Sequence, residues 1–118
     1  MLFSALMKKG ESKGKITFDE CKMNEGIDIN LLKSGEFKAP CAGTYAFTLH
    51  CFTHANGESV EISVIKNNQK EHWFLQSTNN SSGSWIFDLE EGDIVHLETA
   101  VGKNVEIHFA GHLVKIHD

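Results

Sequence analysis

Seven histidines, His50, His54, His72, His96, His108, His112 and His117, are the residues of this 118-residue chain best suited to chemistry. His50/His54 and His108/His112 are each four apart. That spacing sets two imidazoles on one face of a helix, where they can share a zinc ion. On a strand, residues i and i+4 share a face but lie ~13 Å apart, too far for one metal. Strand spacing around both pairs therefore argues against a metal site. Glu90, Glu91 and Asp93 raise calcium as an alternative, yet three carboxylates supply only part of a shell of ~6–8 oxygens. A solvated turn with Gly92 at positive φ is the expectation there, and no cofactor is expected.

Nucleophilic catalysis has no foothold. The sequence has no G-x-S-x-G elbow, no H-E-x-x-H and no glycine-rich phosphate loop. Cys51 follows His50 directly, but neighbouring strand residues point to opposite faces and build no Cys–His pair. No catalytic residue is expected, and no enzyme. The three cysteines, Cys21, Cys41 and Cys51, form no C-x-x-C pair. At the two ends of one strand, Cys41 and Cys51 would sit ~33 Å apart, against the ~7 Å between Cα atoms that a disulfide tolerates. Cys21 with either partner stays open. The residues suited to binding are of another kind. Trp73 lies in a less regular segment and could stack on a sugar ring. His54 and Asn56, in the polar segment 54–59, and Asn79 and Asn80, in the polar stretch Ser77 to Ser84, offer small groups for hydroxyl recognition. Asn79 and Asn80 also satisfy the N-x-[ST] glycosylation rule.

The elements that must position these residues read as strands. From Gly43 to His54, Tyr45, Phe47, Leu49 and Cys51 take one face, and Ala46, Thr48, His50 and Phe52 take the other. Apolar residues on both faces demand cover on both sides. Cys51 is expected as a small core residue. Val60, Ile62 and Val64 alternate into Asn67-Asn68, a hairpin signal, and His72 to Leu75 return. Ser77 to Ser84 reads as a loop. Trp85, Phe87 and Leu89 alternate toward a core, Glu90 to Asp93 turns, Ile94 to Thr99 forms a strand, and 101–104 turns again. Val105, Ile107, Phe109, Gly111 and Leu113 then share the last face, with His108 and His112 opposite. Strands at roughly 8–12-residue spacing indicate an all-β sandwich or barrel.

The bulk numbers bound the rest. One domain, 1–118, accounts for 13.2 kDa. Eleven basic against 16 acidic residues leave a net charge of −5, without the basic patch that nucleic acid requires. No apolar run reaches the ~20 residues of a membrane span, so no membrane insertion is expected. The start places apolar residues before Lys8 and Lys9, the reverse of a secretory leader.

Gly35-Glu36-Phe37-Lys38-Ala39-Pro40 and then Gly43-Thr44-Tyr45-Ala46-Phe47 resemble the central signature of the C1q-domain family, "G-x-F-x-A-P" followed by "G-x-Y-x-F". Phe3-Ser4-Ala5, Ile16-Thr17-Phe18-Asp19, Asn24-Glu25-Gly26, Leu89 to Val95 and Phe109 to Val114 resemble its flanking elements in the same order. The chain departs from the pattern at Cys41 in the corner and at His108 and His112 in the closing strand. No collagen-like stalk precedes it, as in short stalkless members among invertebrate defence proteins and lectins. The resemblance implies a ten-strand jelly roll shared with tumour necrosis factor, three copies around a threefold axis, and an extracellular setting. His50, Phe52, His108 and His112 become candidate trimer-interface residues; if the face that carries His108 and His112 meets the threefold axis, stacked histidines there would confer acid sensitivity. The function implied is a secreted homotrimeric recognition module for carbohydrate or another repeated microbial surface determinant, in innate defence. A tumour necrosis factor-like ligand for a cell-surface receptor is the alternative.

Overall fold

The structure, a computed structural model, describes residues 2–10, 14–53, 60–76, 80–101 and 105–117. In chain order these form β1 (Leu2–Gly10), β2 (Gly14–Lys15), β3 (Glu20–Glu25), α1 (Ile29–Lys33), β4 (Phe37–Lys38), β5 (Gly43–Thr53), β6 (Val60–Lys66), β7 (Gln69–Gln76), β8 (Asn80–Leu89), β9 (Ile94–Val101) and β10 (Val105–Ile116). Two antiparallel sheets result. Sheet A has the order β3-β1-β10-β5-β8, and sheet B the order β2-β9-β6-β7 with β4 also paired to β9. This is the jelly-roll arrangement.

The alternation read from β5 is the reason for the two layers. Tyr45, Phe47, Leu49 and Cys51 are all buried in one core with Ile62, Val64, Val95 and Leu97 of sheet B. Phe3 on β1, Phe109 on β10, and Trp85 and Phe87 on β8 join them. Phe47 is the centre of this aromatic group. Its ring stacks with Trp85 at 5.5 Å and with Phe109 at 5.7 Å, and meets Phe37 edge-on at 5.4 Å. Phe37 belongs to β4 and so carries the contact across from sheet B; it also stacks on Phe3 at 5.2 Å. Gly111 sits beneath these rings. A Cβ there would stand 2.6 Å from Phe3 and 2.8 Å from Phe47, closer than carbon atoms tolerate. The glycine of the closing-strand motif is thus a packing requirement.

The hairpin expected at Asn67-Asn68 forms, with φ of 49° and 67° at the two residues. Gly92 turns the chain at φ 89°. Two features differ from the sequence reading. Residues 29–33 form a short helix, capped by Asp28, whose carboxylate accepts from the amides of Asn30 (2.9 Å) and Leu31 (3.3 Å). Its five residues are too few to show a helical period; only Leu32 is buried. The polar stretch expected to be a loop from Ser77 to Ser84 is strand from Asn80 onward, paired with β5 from Phe52↔Asn80 to Thr48↔Ser84. Backbone pairing with a long neighbour outweighs the missing apolar signal, because Ser82 and Ser84 face outward. Residues 77–79 lie outside the described residues.

Register places the ends Gly10, Val105, Thr53 and Asn80 at one end of sheet A. β1 and β2, β5 and β6, β7 and β8, and β9 and β10 are successive strands that lie in opposite sheets. Leu2 and Ile116 lie toward the opposite end.

Trp85, 6% exposed and stacked against both Phe47 and Phe109, gives the first prediction. Trp85→Ala should cost about 3–5 kcal/mol in urea unfolding, the range for a large aromatic removed from a packed core. A loss below about 1 kcal/mol would place the indole outside the core.

Candidate functional site

The outer face of sheet A holds every candidate interface residue. Cross-strand register assembles it in rungs. Leu6, His108, His50 and Ser82 form one; Ser4, Ala110, Thr48 and Ser84 the next; Leu2, His112, Ala46 and Ile86 the third. His108 and His112 lie opposite the buried Phe109, as their alternation predicts. His50 and His108 are directly paired, with ring centroids 6.4 Å apart. Phe52 stacks on His50 at 4.3 Å and meets His108 edge-on at 6.1 Å. Glu106 Oε2 lies 3.2 Å from His108 Nε2. His112 stands two rungs off and does not join this cluster. Between the histidines and the small residues lies a shallow concavity of about 440 Å³, lined by Ser4, Thr48, Ser82, Ser84 and Ala110 among others.

Six large apolar side chains are well exposed among the described residues. Leu2, Met23, Ile86, Val114 and Ile116 belong to strands of sheet A; only Ile29, on α1, does not. The carboxylates of sheet A sit on the edge strand β3 (Glu20, Glu25) or toward the ends of the face (Glu106, Asp88). Around sheet B, Lys15 pairs with Glu36 at 2.5 Å, and His96 Nε2 lies 2.8 Å from Glu98 Oε2. The Lys15 hydrogen bond holds the Glu36 carboxyl below its ordinary value.

The proposed sugar-contacting residues are less visible. His54, Asn56 and Asn79 lie outside the described residues. Asn80 opens β8, and Trp73 is in β7 across from Ser63; the side chains of both lie outside those described. Asn80 pairs with Phe52 at the end of sheet A away from Leu2. Trp73 falls in mid-strand.

Two polar clusters invite chemistry and are better explained as ties. Thr44 Oγ1 donates to Asp88 Oδ1 at 2.6 Å and lies 2.8 Å from His117 Nε2, which is 3.6 Å from the same carboxylate oxygen. A nucleophilic triad needs the carboxylate on the imidazole nitrogen that faces away from the hydroxyl. Here both meet one nitrogen, and the hydroxyl proton is already directed to Asp88. The cluster fastens the end of the chain to β5 and β8. At the corner, the Tyr45 hydroxyl donates to the Cys41 carbonyl (2.5 Å), accepts from the Cys41 amide (3.3 Å) and touches its sulfur (3.4 Å). Burial first, then the thiol contact, pushes this hydroxyl up to about 12.

Among the described residues no three His, Cys, Asp or Glu side chains gather to hold a metal. Asp93 is occupied by the fold, accepting from the Glu90 amide at 2.9 Å and the Asn67 side chain at 3.0 Å. Burial pushes its pKa up, but these bonds and Lys66 outweigh burial and hold it below the ordinary value. Among the described residues no helix is long and apolar enough to cross a membrane. Cys21, Cys41 and Cys51 are all free thiols, so the pairing left open for Cys21 is not made.

The C1q-domain family model matches residues 2–114. The globular domain of zebrafish complement 1qA protein is similar over 98% of both chains, with a TM-score of 0.76 at 20% identity. Pika GITRL follows at 0.69 and 15%, covering 97% of this chain and 96% of its own, and murine APRIL at 0.65 and 12%, covering 92% and 96%. No curated protein matches the sequence. The fold is therefore a C1q and tumour necrosis factor-type jelly roll, and the chain belongs to the C1q-domain family. Sequence reasoning found one face of the site, through Ala46, Thr48, His50 and Phe52 of β5. It missed Ser84, Ile86 and Ala110 as their neighbours, because cross-strand register has no local signature.

Cys51 supplies the prediction of this section. Burial pushes its thiol up to about 11, so little reactive thiolate exists near pH 8. Labelling the native protein should leave Cys51 unmodified and denaturation should expose it; fast modification of all three thiols in the native state would contradict its burial.

Proposed function

We propose that the chain is a secreted, homotrimeric C1q-domain recognition module that binds carbohydrate or another repeated determinant of microbial surfaces. The observation that carries the self-association is that, among the described residues, five of the six well-exposed large apolar side chains lie on strands of sheet A. Contiguous exposed apolar surface is the ordinary mark of a protein contact. Copies of the same chain fit this face because its rungs Ser4-Ala110-Thr48-Ser84 and Leu2-His112-Ala46-Ile86 are, apart from His112, made of small or apolar residues. Membership of the C1q-domain family favours three copies and an extracellular setting.

Three subunits present three identical sets of the candidate contact residues His54, Asn56, Asn79 and Asn80, with Trp73 as the candidate stacking aromatic. Linked sites raise avidity by ~10²–10⁴ when their spacing matches the target, which suits weak single contacts on repetitive glycans. No metal and no catalytic step is needed for such binding.

Light scattering on a sizing column should return about three times 13.2 kDa. The assembled protein should bind microbial cells or polysaccharide at least ~10²-fold better than free monosaccharide. Trp73→Ala should weaken that binding and leave the mass unchanged. Failure to bind any polysaccharide, together with nanomolar capture of one host membrane protein, would replace this reading with that of a receptor ligand.

A further inference from the structure

We infer that the His50–His108 pair makes the assembly acid-labile: the subunits stay together at neutral pH and separate in mildly acidic fluid. The inference rests on the proposed packing through the outer face of sheet A, and it names the regulation of that same face.

Histidine is the side chain that takes on charge between about pH 5 and 8. His50 and His108 face each other across the two central strands, β5 and β10, at 6.4 Å between rings. Their described surroundings offer little to offset two charges. β1 contributes Leu6 and Ser4, β8 contributes Ser82, and β5 adds the ring of Phe52. β10 contributes Glu106, 3.2 Å from His108, and His112 two rungs away; β3 contributes Glu20 beyond Leu6. Glu106 supplies one carboxylate for two imidazoles, so a doubly charged pair enclosed in a contact would keep at least one charge without a counter-charge.

What changes on assembly is water. In the free subunit His50 is exposed and His108 half-buried, so both rings meet solvent. Packed against other copies, the same rings lose that solvent, and three copies bring six of them to one contact. Burial disfavours the charged form of histidine, so the assembly binds fewer protons than its free subunits. By linkage, association is then strongest above the ordinary histidine range. It weakens as pH falls through ~6.5, by up to about tenfold in the dissociation constant per pH unit for each imidazole held neutral.

The test is the mass of the full chain by light scattering at pH 7.5 and pH 5.5, with near-ultraviolet circular dichroism to follow the fold. The expected result is about three times 13.2 kDa at pH 7.5 and 13.2 kDa at pH 5.5, with an unchanged aromatic spectrum. The double variant His50→Gln/His108→Gln should remain assembled at both values. If that variant fails to assemble, His50→Gln alone should move the dissociation to lower pH. A wild-type mass that is the same at pH 5.5, or variants that dissociate at the wild-type pH, would overturn the inference and leave the assembly standing. A monomer already at pH 7.5 would overturn both.

Discussion

Phe47 touches both layers of this molecule. Its ring lies within 5.4–6.5 Å of Phe37, Tyr45, Trp85, Phe87, Phe109 and Phe3, on the fourth strand of a five-stranded sheet. Offset-stacked and edge-on ring pairs are each worth about 0.5–1.5 kcal/mol beyond the area they bury. The strands they join are distant in sequence: β1, β4, β5, β8 and β10. Close packing of rings fixes how these strands stand against one another. That in turn fixes which side chains share a rung on the far side of sheet A. Gly111 shows how little slack exists, since a single added carbon would strike two rings.

The same strand that anchors the core presents the proposed contact surface. One face of β5 gives Tyr45, Phe47, Leu49 and Cys51 to the interior; the other gives Ala46, Thr48, His50 and Phe52 to the outside. A jelly roll with a tight aromatic core holds the strands behind its outer face in register. In the proposed assembly, small residues such as Ser4, Ala110 and Thr48 would let another copy approach closely, while Ile86 and Leu2 would supply apolar area. In the proposed assembly, ligand contact then falls to the candidate residues His54, Asn56, Trp73, Asn79 and Asn80. The architecture separates what must be rigid from what must vary.

Much of this was legible in the sequence, for a physical reason. Period-two alternation in β5, β8 and β10 directly encodes which side chains are buried, and Tyr45, Trp85, Ile107 and Phe109 lie where it puts them. The turn at Asn67-Asn68 was legible because few residues tolerate positive φ. Strand pairing was not. Ser82 and Ser84 look like loop residues in isolation and become strand only because β5 offers a backbone ladder. The helix at 29–33 was invisible for a similar reason: five residues carry no period, and its place is set by Leu32 entering the core. At the site, Phe52 and His50 were legible as one face of a strand. Their cluster with His108, and the wider surface with Ile86 and Leu2, depends on register alone.

The central claim is that sheet A, and not sheet B, is the face on which copies meet. The most direct measurement is solution mass after a charge is placed on each sheet. Ala46 lies on the outer face of sheet A between His112 and Ile86, and Lys38 is exposed on β4 of sheet B. Ala46→Arg should reduce the mass by light scattering to 13.2 kDa with an intact circular dichroism spectrum, because an arginine there would be buried without a partner. Lys38→Glu should leave the mass of the assembly unaltered. An Ala46→Arg protein that assembles like wild type, or a Lys38→Glu protein that falls apart, would contradict the account.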